Sequence, residues 1–125
     1  MTEGRPLVSV VLPCRDAERY IRAALESILE QSYRELEILI IDNASADTTP
    51  EIVTGYAAAD PRIRYLRNET DIGIAGSLNR GLREATGELI ARMDADDIAL
   101  PERLAKQVAY LEANPNCVIC GTNIV

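Results

Sequence analysis

The chain has 125 residues, 47% of them hydrophobic and 26% charged, the size and balance of one globular domain that can bury a core without disulfides. That excludes a disordered tail, a collagen-like repeat and a multidomain assembly. Twenty Asp and Glu against 13 Lys and Arg leave a net charge of −7, so phosphate backbones and anionic membrane surfaces are repelled and nucleic acid is not expected as a partner.

Residues 7–12 form a β-branched run ahead of Pro13, predicted as a strand buried on both faces and stopped by the proline. Asp16 is expected to cap a helix in which Ala17, Tyr20, Ile21, Ala24, Leu25, Ile28 and Leu29 recur at three and four. A second apolar run, residues 36–41, ends in the polar turn 42–47. Thr48 and Glu51 then read as a capping box with Pro50 in the first turn, opening a helix through Ile52, Val53, Tyr56 and Ala57. Residues 60–61 break it, and residues 63–66 predict a short, less buried third strand. After a loop at 68–73, Ile74, Leu78, Leu82 and Ala85 mark a helix ended by Gly87. Residues 88–93 give a fourth strand running into Asp94-Ala95-Asp96-Asp97. Pro101 opens a last helix through Leu104, Val108 and Leu111, closed at Asn114-Pro115, and residues 117–125 begin a fifth strand. Strands alternating with helices predict a Rossmann-like α/β fold, a mostly parallel sheet with helices on both faces. Residues 7–125 read as one unit behind a poorly ordered leader, residues 1–6.

The chain has no His, so a Ser-His-Asp or Cys-His couple, a His-ligated zinc and an imidazole base are all excluded. Acid–base or metal chemistry must use carboxylates. Phe and Trp are also absent, which leaves five tyrosines for aromatic stacking. No apolar run approaches the ~18 residues of a membrane span and no signal core follows the N-terminus, so a cytoplasmic location is expected. The three cysteines read as reduced thiols. Cys117 and Cys120 fall in a β-type run on opposite faces, as buried structural thiols rather than a redox or metal pair. The sequons at Asn43 and Asn68 read as chance matches.

Parallel sheets bind ligands beyond the carboxyl ends of their strands. Pro13-Cys14-Arg15-Asp16, Asp42-Asn43 and Asp94-Ala95-Asp96-Asp97 all fall there. The last offers two or three hard oxygen ligands, suited to Mg²⁺ or Mn²⁺, or else it solvates the loop before Pro101. A divalent ion would let an acidic protein hold an anionic diphosphate and would stabilise a departing phosphate. Asp42 is placed either to accept hydrogen bonds from a base or ribose or to cap its own turn.

The blocks at residues 6–13, 27–33 and 37–49, with Ile41-Asp42-Asn43-Ala44-Ser45 inside the third, and Met93-Asp94-Ala95-Asp96-Asp97 resemble, in order and spacing, those of the family 2 glycosyltransferases. The resemblance spans nearly the whole chain from Pro6. It implies a GT-A fold that binds a nucleotide-diphospho-sugar, usually a UDP- or dTDP-sugar, and transfers the sugar with inversion to a carbohydrate or lipid-linked acceptor. Such enzymes serve cell-surface polysaccharide biosynthesis, with the parent protein at the inner face of the membrane. By that likeness Pro13 and Arg15 lie along the base, Asp42 bonds the base with Asn43 beside it, and Asp94 meets the ribose or sugar. Asp96, with Asp94, holds Mn²⁺ or Mg²⁺, and Gly73, Ser77 and Asn79 belong to a loop-and-helix block near the nucleotide.

The chain departs from the pattern at Arg15 and Asp16, where an aromatic residue and Asn are usual, at Asn43, commonly Asp, and at Asp71, usually Asn. Family members continue for roughly another half-domain carrying the acceptor site and the general base. The chain is therefore expected to be the donor-binding part, with its catalytic residue unassigned and an apolar sheet edge favouring self-association. The alternatives are a noncatalytic nucleotide-binding module and a receiver-like Mg²⁺-binding signalling domain. The second would need a Lys after its fifth strand, and the chain's one Lys, Lys106, lies in a predicted helix.

Overall fold

The computed structural model describes residues 5–117. Strands and helices alternate: β1 (Val8–Cys14), α1 (Ile21–Leu29), β2 (Leu36–Asn43), α2 (Thr49–Ala59), β3 (Ile63–Asn68), α3 (Gly73–Glu84), β4 (Leu89–Arg92) and α4 (Arg103–Ala113). The four strands form one sheet in the order β3-β2-β1-β4, and every pairing is parallel.

The period of two along the central strands divides the core. Val8, Val10 and Leu12 of β1 with Ile38 and Ile40 of β2 pack against Ile21, Leu25, Ile28, Val53, Leu104 and Val108, so α1, α2 and α4 cover one face. Val11, Leu39 and Ile41 turn to the other face and meet Leu78 and Ala85 at α3. Burial on both faces is why β1 and β2 read as unbroken apolar runs. The α3 helix lies so close that a Cβ on Gly81 would stand 2.5 Å from Val11 Cγ1, which reserves that position for glycine.

From β1 the chain steps outward to β2 and β3, then α3 carries it back past β1 to β4. The winding reverses between β1 and β4, the place where open α/β sheets form a crevice at the strand carboxyl ends.

Several local expectations are corrected. β1 does not stop at Pro13, which pairs in register with Ile41 before the strand ends at Cys14; a proline at a strand terminus forfeits only one donor. Asp16 does not cap α1, which begins at Ile21 after a turn and has no side-chain cap. The capping box does not form either: the Thr48 hydroxyl donates to Glu18, and the Thr49 N–H goes to Asp47 Oδ1 at 2.8 Å. β3 runs on to Asn68, α3 ends at Glu84, short of Gly87, and α4 begins two residues after Pro101. The fifth strand and Cys120 lie outside the described residues. Cys117 is half-buried, its N–H donating to Asn114 O at 2.8 Å. Of the residues read as leader, Arg5 pairs with Glu35 at 3.3 Å and sits 4.7 Å from the Tyr33 ring centroid, while the Tyr33 hydroxyl donates to Pro6 O. Residues 1–4 lie outside the description. Among the described residues no helix is long and apolar enough to cross a membrane.

Candidate functional site

A cleft of about 480 Å³ opens at the carboxyl ends of the strands. Its walls are Pro13, Cys14, Arg15, Asp16, Ala17 and Tyr20 from β1 and the turn after it, Asn43 from β2, Ile74 and Ser77 from α3, and Arg92, Asp94, Ala95 and Asp96 at the end of β4.

The floor is fixed by a zipper between the turns after β1 and β2. The Asp16 N–H donates to Ser45 Oγ at 2.9 Å and Asp16 Oδ1 accepts the Ala46 N–H at 2.7 Å. The Ala17 N–H reaches Thr49 Oγ1 at 2.9 Å and the Glu18 N–H reaches Asp47 Oδ2 at 3.1 Å. Asp16 and Ala44 hold positive φ, 48° and 60°, a conformation that costs a non-glycine residue roughly 1–3 kcal/mol and that persists where surrounding bonds over-determine it. Here the zipper supplies those bonds.

At the β2 end, Asn43 is 6% exposed and its amide is oriented by three bonds. Oδ1 accepts from Asn68 Nδ2 at 3.1 Å and from the Ile72 N–H at 3.0 Å, and Nδ2 donates to Asp71 Oδ1 at 2.8 Å. Asn68 Nδ2 also reaches Ser77 Oγ at 3.0 Å, which ties β2, β3 and α3 together beneath the cleft. Asp71 accepts the Gly73 N–H at 2.9 Å and ion-pairs with Arg15. The Gly73 N–H, the Asn43 amide and Arg15 hold its carboxyl below the usual carboxylate range.

At the β4 end, Asp94, Asp96 and Asp97 are exposed, and one carboxylate oxygen from each falls within 4.8 Å of the others. The Met93 N–H donates to Val11 O at 3.1 Å, carrying the β4 pairing to the edge of this segment, and the Asp97 N–H turns back to Asp94 O at 3.1 Å. Buried Gln31 anchors the stretch leading into α4, with Nε2 donating to Leu100 O at 2.7 Å and Oε1 accepting the Leu104 N–H at 3.1 Å. Arg92 faces Asp94 at 3.4 Å and offsets part of the negative charge. β2 and β4 flank β1 on opposite sides, so Asn43 and the acidic segment stand about two strand spacings apart, roughly 10 Å.

The structure brings Pro13, Arg15, Asn43, Ser77, Asp94 and Asp96 together in the cleft and leaves out three residues expected there from the sequence. Asp42 is fully buried. Its Oδ1 accepts the Ser45 N–H at 3.0 Å, and its Oδ2 takes the Tyr65 hydroxyl and Arg67 Nη1, the latter at 3.2 Å. Strand alternation turns it to the face opposite Asn43. Gly73, at φ 78°, starts α3, and Asn79 lies on that helix away from the cleft wall. Sequence reasoning missed Tyr20, Ile74 and Arg92 as wall residues. It noted Asp71 only as a departure. Tyr20 fits the helical period of its buried neighbours, yet it is 53% exposed.

The geometry offers a hydrogen-bonding wall at one end and a hard-oxygen cluster at the other, joined by a floor of backbone and short side chains. Such a cleft suits an elongated ligand with a polar planar part and an anionic part that a divalent cation would neutralise.

Comparisons with known proteins identify the fold and the family. A putative glycosyltransferase of Bacillus subtilis, EpsE, is 43% identical over 121 residues, covering 96% of this chain and 44% of its own length. The crystal structure of S. aureus TarS 1-349 in complex with UDP superposes with a TM-score of 0.81 at 28% identity, over 87% of this chain and 33% of that one. The mannosyltransferase PcManGT from Pyrobaculum calidifontis, in complex with GDP-Man and Mn²⁺, gives a TM-score of 0.81 at 34% identity over 87% and 33%. The chain thus spans less than half the length of each. The family model described as Glycosyl transferase family 2 matches residues 9–125, with the GT-A fold of its structural neighbours and no place left for the receiver-like reading, and the chain belongs to that family.

Proposed function

We propose that the cleft binds the nucleotide-diphospho-sugar donor of an inverting glycosyltransferase, a UDP- or dTDP-sugar, whose sugar passes to a carbohydrate or lipid-linked acceptor. The observation that carries this is that Asn43 and the Asp94–Asp96 segment line one cleft from opposite sides of β1, about two strand spacings apart. That separation suits a nucleoside diphosphate lying with its base at Asn43, Arg15 and Pro13 and its phosphates at the acidic segment. Similarity to TarS with UDP and to PcManGT with GDP-Man and Mn²⁺ supports it.

Mn²⁺ or Mg²⁺ fits the residues present, because Asp94, Asp96 and Asp97 offer only hard oxygens, all exposed and close enough to share one ion. Asp96 with Asp94 would hold it, and when bound it supplies charge neutralisation for the diphosphate as a leaving group. Arg92 stands beside Asp94 in the same cleft, and Arg15 offers its guanidinium plane at the other end. Ser77 and Asn43 present oriented polar groups along the α3 side, and Pro13 and Ala17 add apolar surface to the lining.

Calorimetric titration of the 125-residue chain with UDP, with and without Mn²⁺, tests the reading. Binding should require the ion, and Asp96→Ala should remove that requirement along with most of the affinity. Equal affinity in a chelator would sink the metal role, and a chain that binds no nucleoside diphosphate under any condition would sink the donor site.

A further inference from the structure

The wall at the β2 end is organised by a residue of the loop before α3. Among the described residues, Asp71 is the group whose carboxylate bonds both Arg15 and Asn43: Oδ1 takes the Asn43 Nδ2–H at 2.8 Å and Oδ2 takes Arg15. Asn43 cannot turn its amide over, because Oδ1 already faces two donors, Asn68 and the Ile72 N–H. Asp71 therefore decides how many of the two Nδ2 hydrogens remain for a ligand: one. It also decides where Arg15 lies. That side chain is 47% exposed, with a second carboxylate, Asp16, 3.8 Å from Nε. A guanidinium gripped from two sides presents one plane to the cleft, and its charge is cancelled locally instead of being free to reach for phosphate.

Resting on the donor-site reading above, we infer that Asp71 is a positioning residue for the nucleobase: through Arg15 and Asn43 it sets which base the cleft prefers. Both of its partners stand at the β2 end of the cleft, across β1 from the acidic cluster, so its effect falls on the base and not on the diphosphate. A carboxylate here does what an amide could not. It accepts from Asn43 and from the Gly73 N–H on one oxygen while balancing a cation with the other.

The test measures dissociation constants of UDP, CDP, GDP, ADP and pyrophosphate, all with Mn²⁺, for the wild-type chain, Asp71→Asn, Asn43→Asp and the double exchange, with a thermal melt of each to show that it folds. Asp71→Asn should narrow the spread among the four nucleotides by up to about fivefold, the scale of one exposed ion pair, without weakening pyrophosphate. Asn43→Asp sets two carboxylates face to face and should lower both the melting temperature and nucleotide affinity. The double exchange restores one donor and one acceptor across the pair, so the melting temperature should recover while the wild-type base preference does not, because Arg15 has lost its partner. An unchanged order and spread in Asp71→Asn, or an equal loss for pyrophosphate and all four nucleotides, would overturn the inference. Failure of every nucleotide to bind the wild-type chain would overturn the donor-site reading first, and this one with it.

Discussion

Asp42 and Asn43 are neighbours in the chain and face opposite sides of the sheet, Asp42 toward Tyr65 and Arg67, Asn43 toward Asn68 and the cleft. The first is structural in its contacts and the second lines the site. Asp42→Ala should therefore act on stability, since it strands the Tyr65 hydroxyl and Arg67 beside an apolar core. The expected cost is about 3 kcal/mol, on the scale of breaking a buried charged contact, read from urea denaturation. A variant of normal stability that has lost nucleotide affinity would instead put Asp42 at the ligand.

The same corner predicts an alkaline limit. Burial, reinforced by the bond to Asp42, pushes the Tyr65 hydroxyl up to about 12, and burial with Asp42 and Asp47 nearby pushes the Cys14 thiol up to about 12. Both groups are neutral when protonated, and both hold their protons more tightly folded than unfolded. Their contribution is complete below their unfolded values and is lost as pH rises toward 12. Stability should fall from about pH 9 upward, where the unfolded thiol and then the unfolded phenol release their protons, with a shallower slope in Tyr65→Phe. Cys14 should stay unlabelled by a thiol reagent at about pH 8, below the ordinary thiol value, until the chain unfolds; rapid native labelling would contradict its burial.

At the opposite end of the strands Glu37 predicts an acid limit. It accepts from Ser9 Oγ at 2.6 Å, from the Thr86 N–H at 2.9 Å and from Arg64 at 3.1 Å, which joins β1, β3 and the connection into β4. Burial works to raise its pKa, and these bonds outweigh burial and leave it below the usual carboxylate value. A depressed folded pKa means stability that is present above the unfolded value, ~4.3, and lost as pH falls through the folded one. Glu37→Gln should cost about 2 kcal/mol near neutral pH and flatten the acid limb. An acid limb of unchanged slope would move the effect to other carboxylates.

The α/β order and parallel sheet were legible because β1 and β2 are buried on both faces and the helices carry a clear helical period at residues such as Ile21, Leu25 and Ile28. The acidic segment at Asp94 was legible from its position after a strand. The long-range partner that a polar side chain takes could not be read. Thr48 and Asp16 satisfy local capping rules, yet both are drawn across to the neighbouring turn, at Glu18 and at Ser45 and Ala46. That Asp42 and Asn43, expected side by side at the base, point to opposite faces was hidden for a related reason: a one-residue change of strand face is invisible where the apolar run is continuous. Asp71 carries no local signal, because its role depends on Arg15 and Asn43, which are distant in sequence.

The closeness of α3 to the sheet supplies a final prediction, and its logic is compensation. A Cβ on Gly81 would meet Val11 Cγ1 at 2.5 Å and Ile41 Cδ1 at 3.3 Å, contacts that the fully packed strand interior cannot absorb in place. Gly81→Ala should push α3 off the sheet at a cost of about 1–3 kcal/mol, the usual range for an added methyl in a filled core, even though alanine favours helices. Because α3 carries Ser77, which is bonded to Asn68 beneath the cleft, nucleotide affinity should fall in the same variant. Val11→Ala removes the colliding methyl and by itself leaves a small void. Combined with Gly81→Ala it should refill that void, so the double variant should be more stable than the sum of the single losses allows and should regain affinity. Thermal melts and UDP titration of the four proteins measure both couplings. Strict additivity would show that α3 is held away from Val11 and that the glycine is there for another reason.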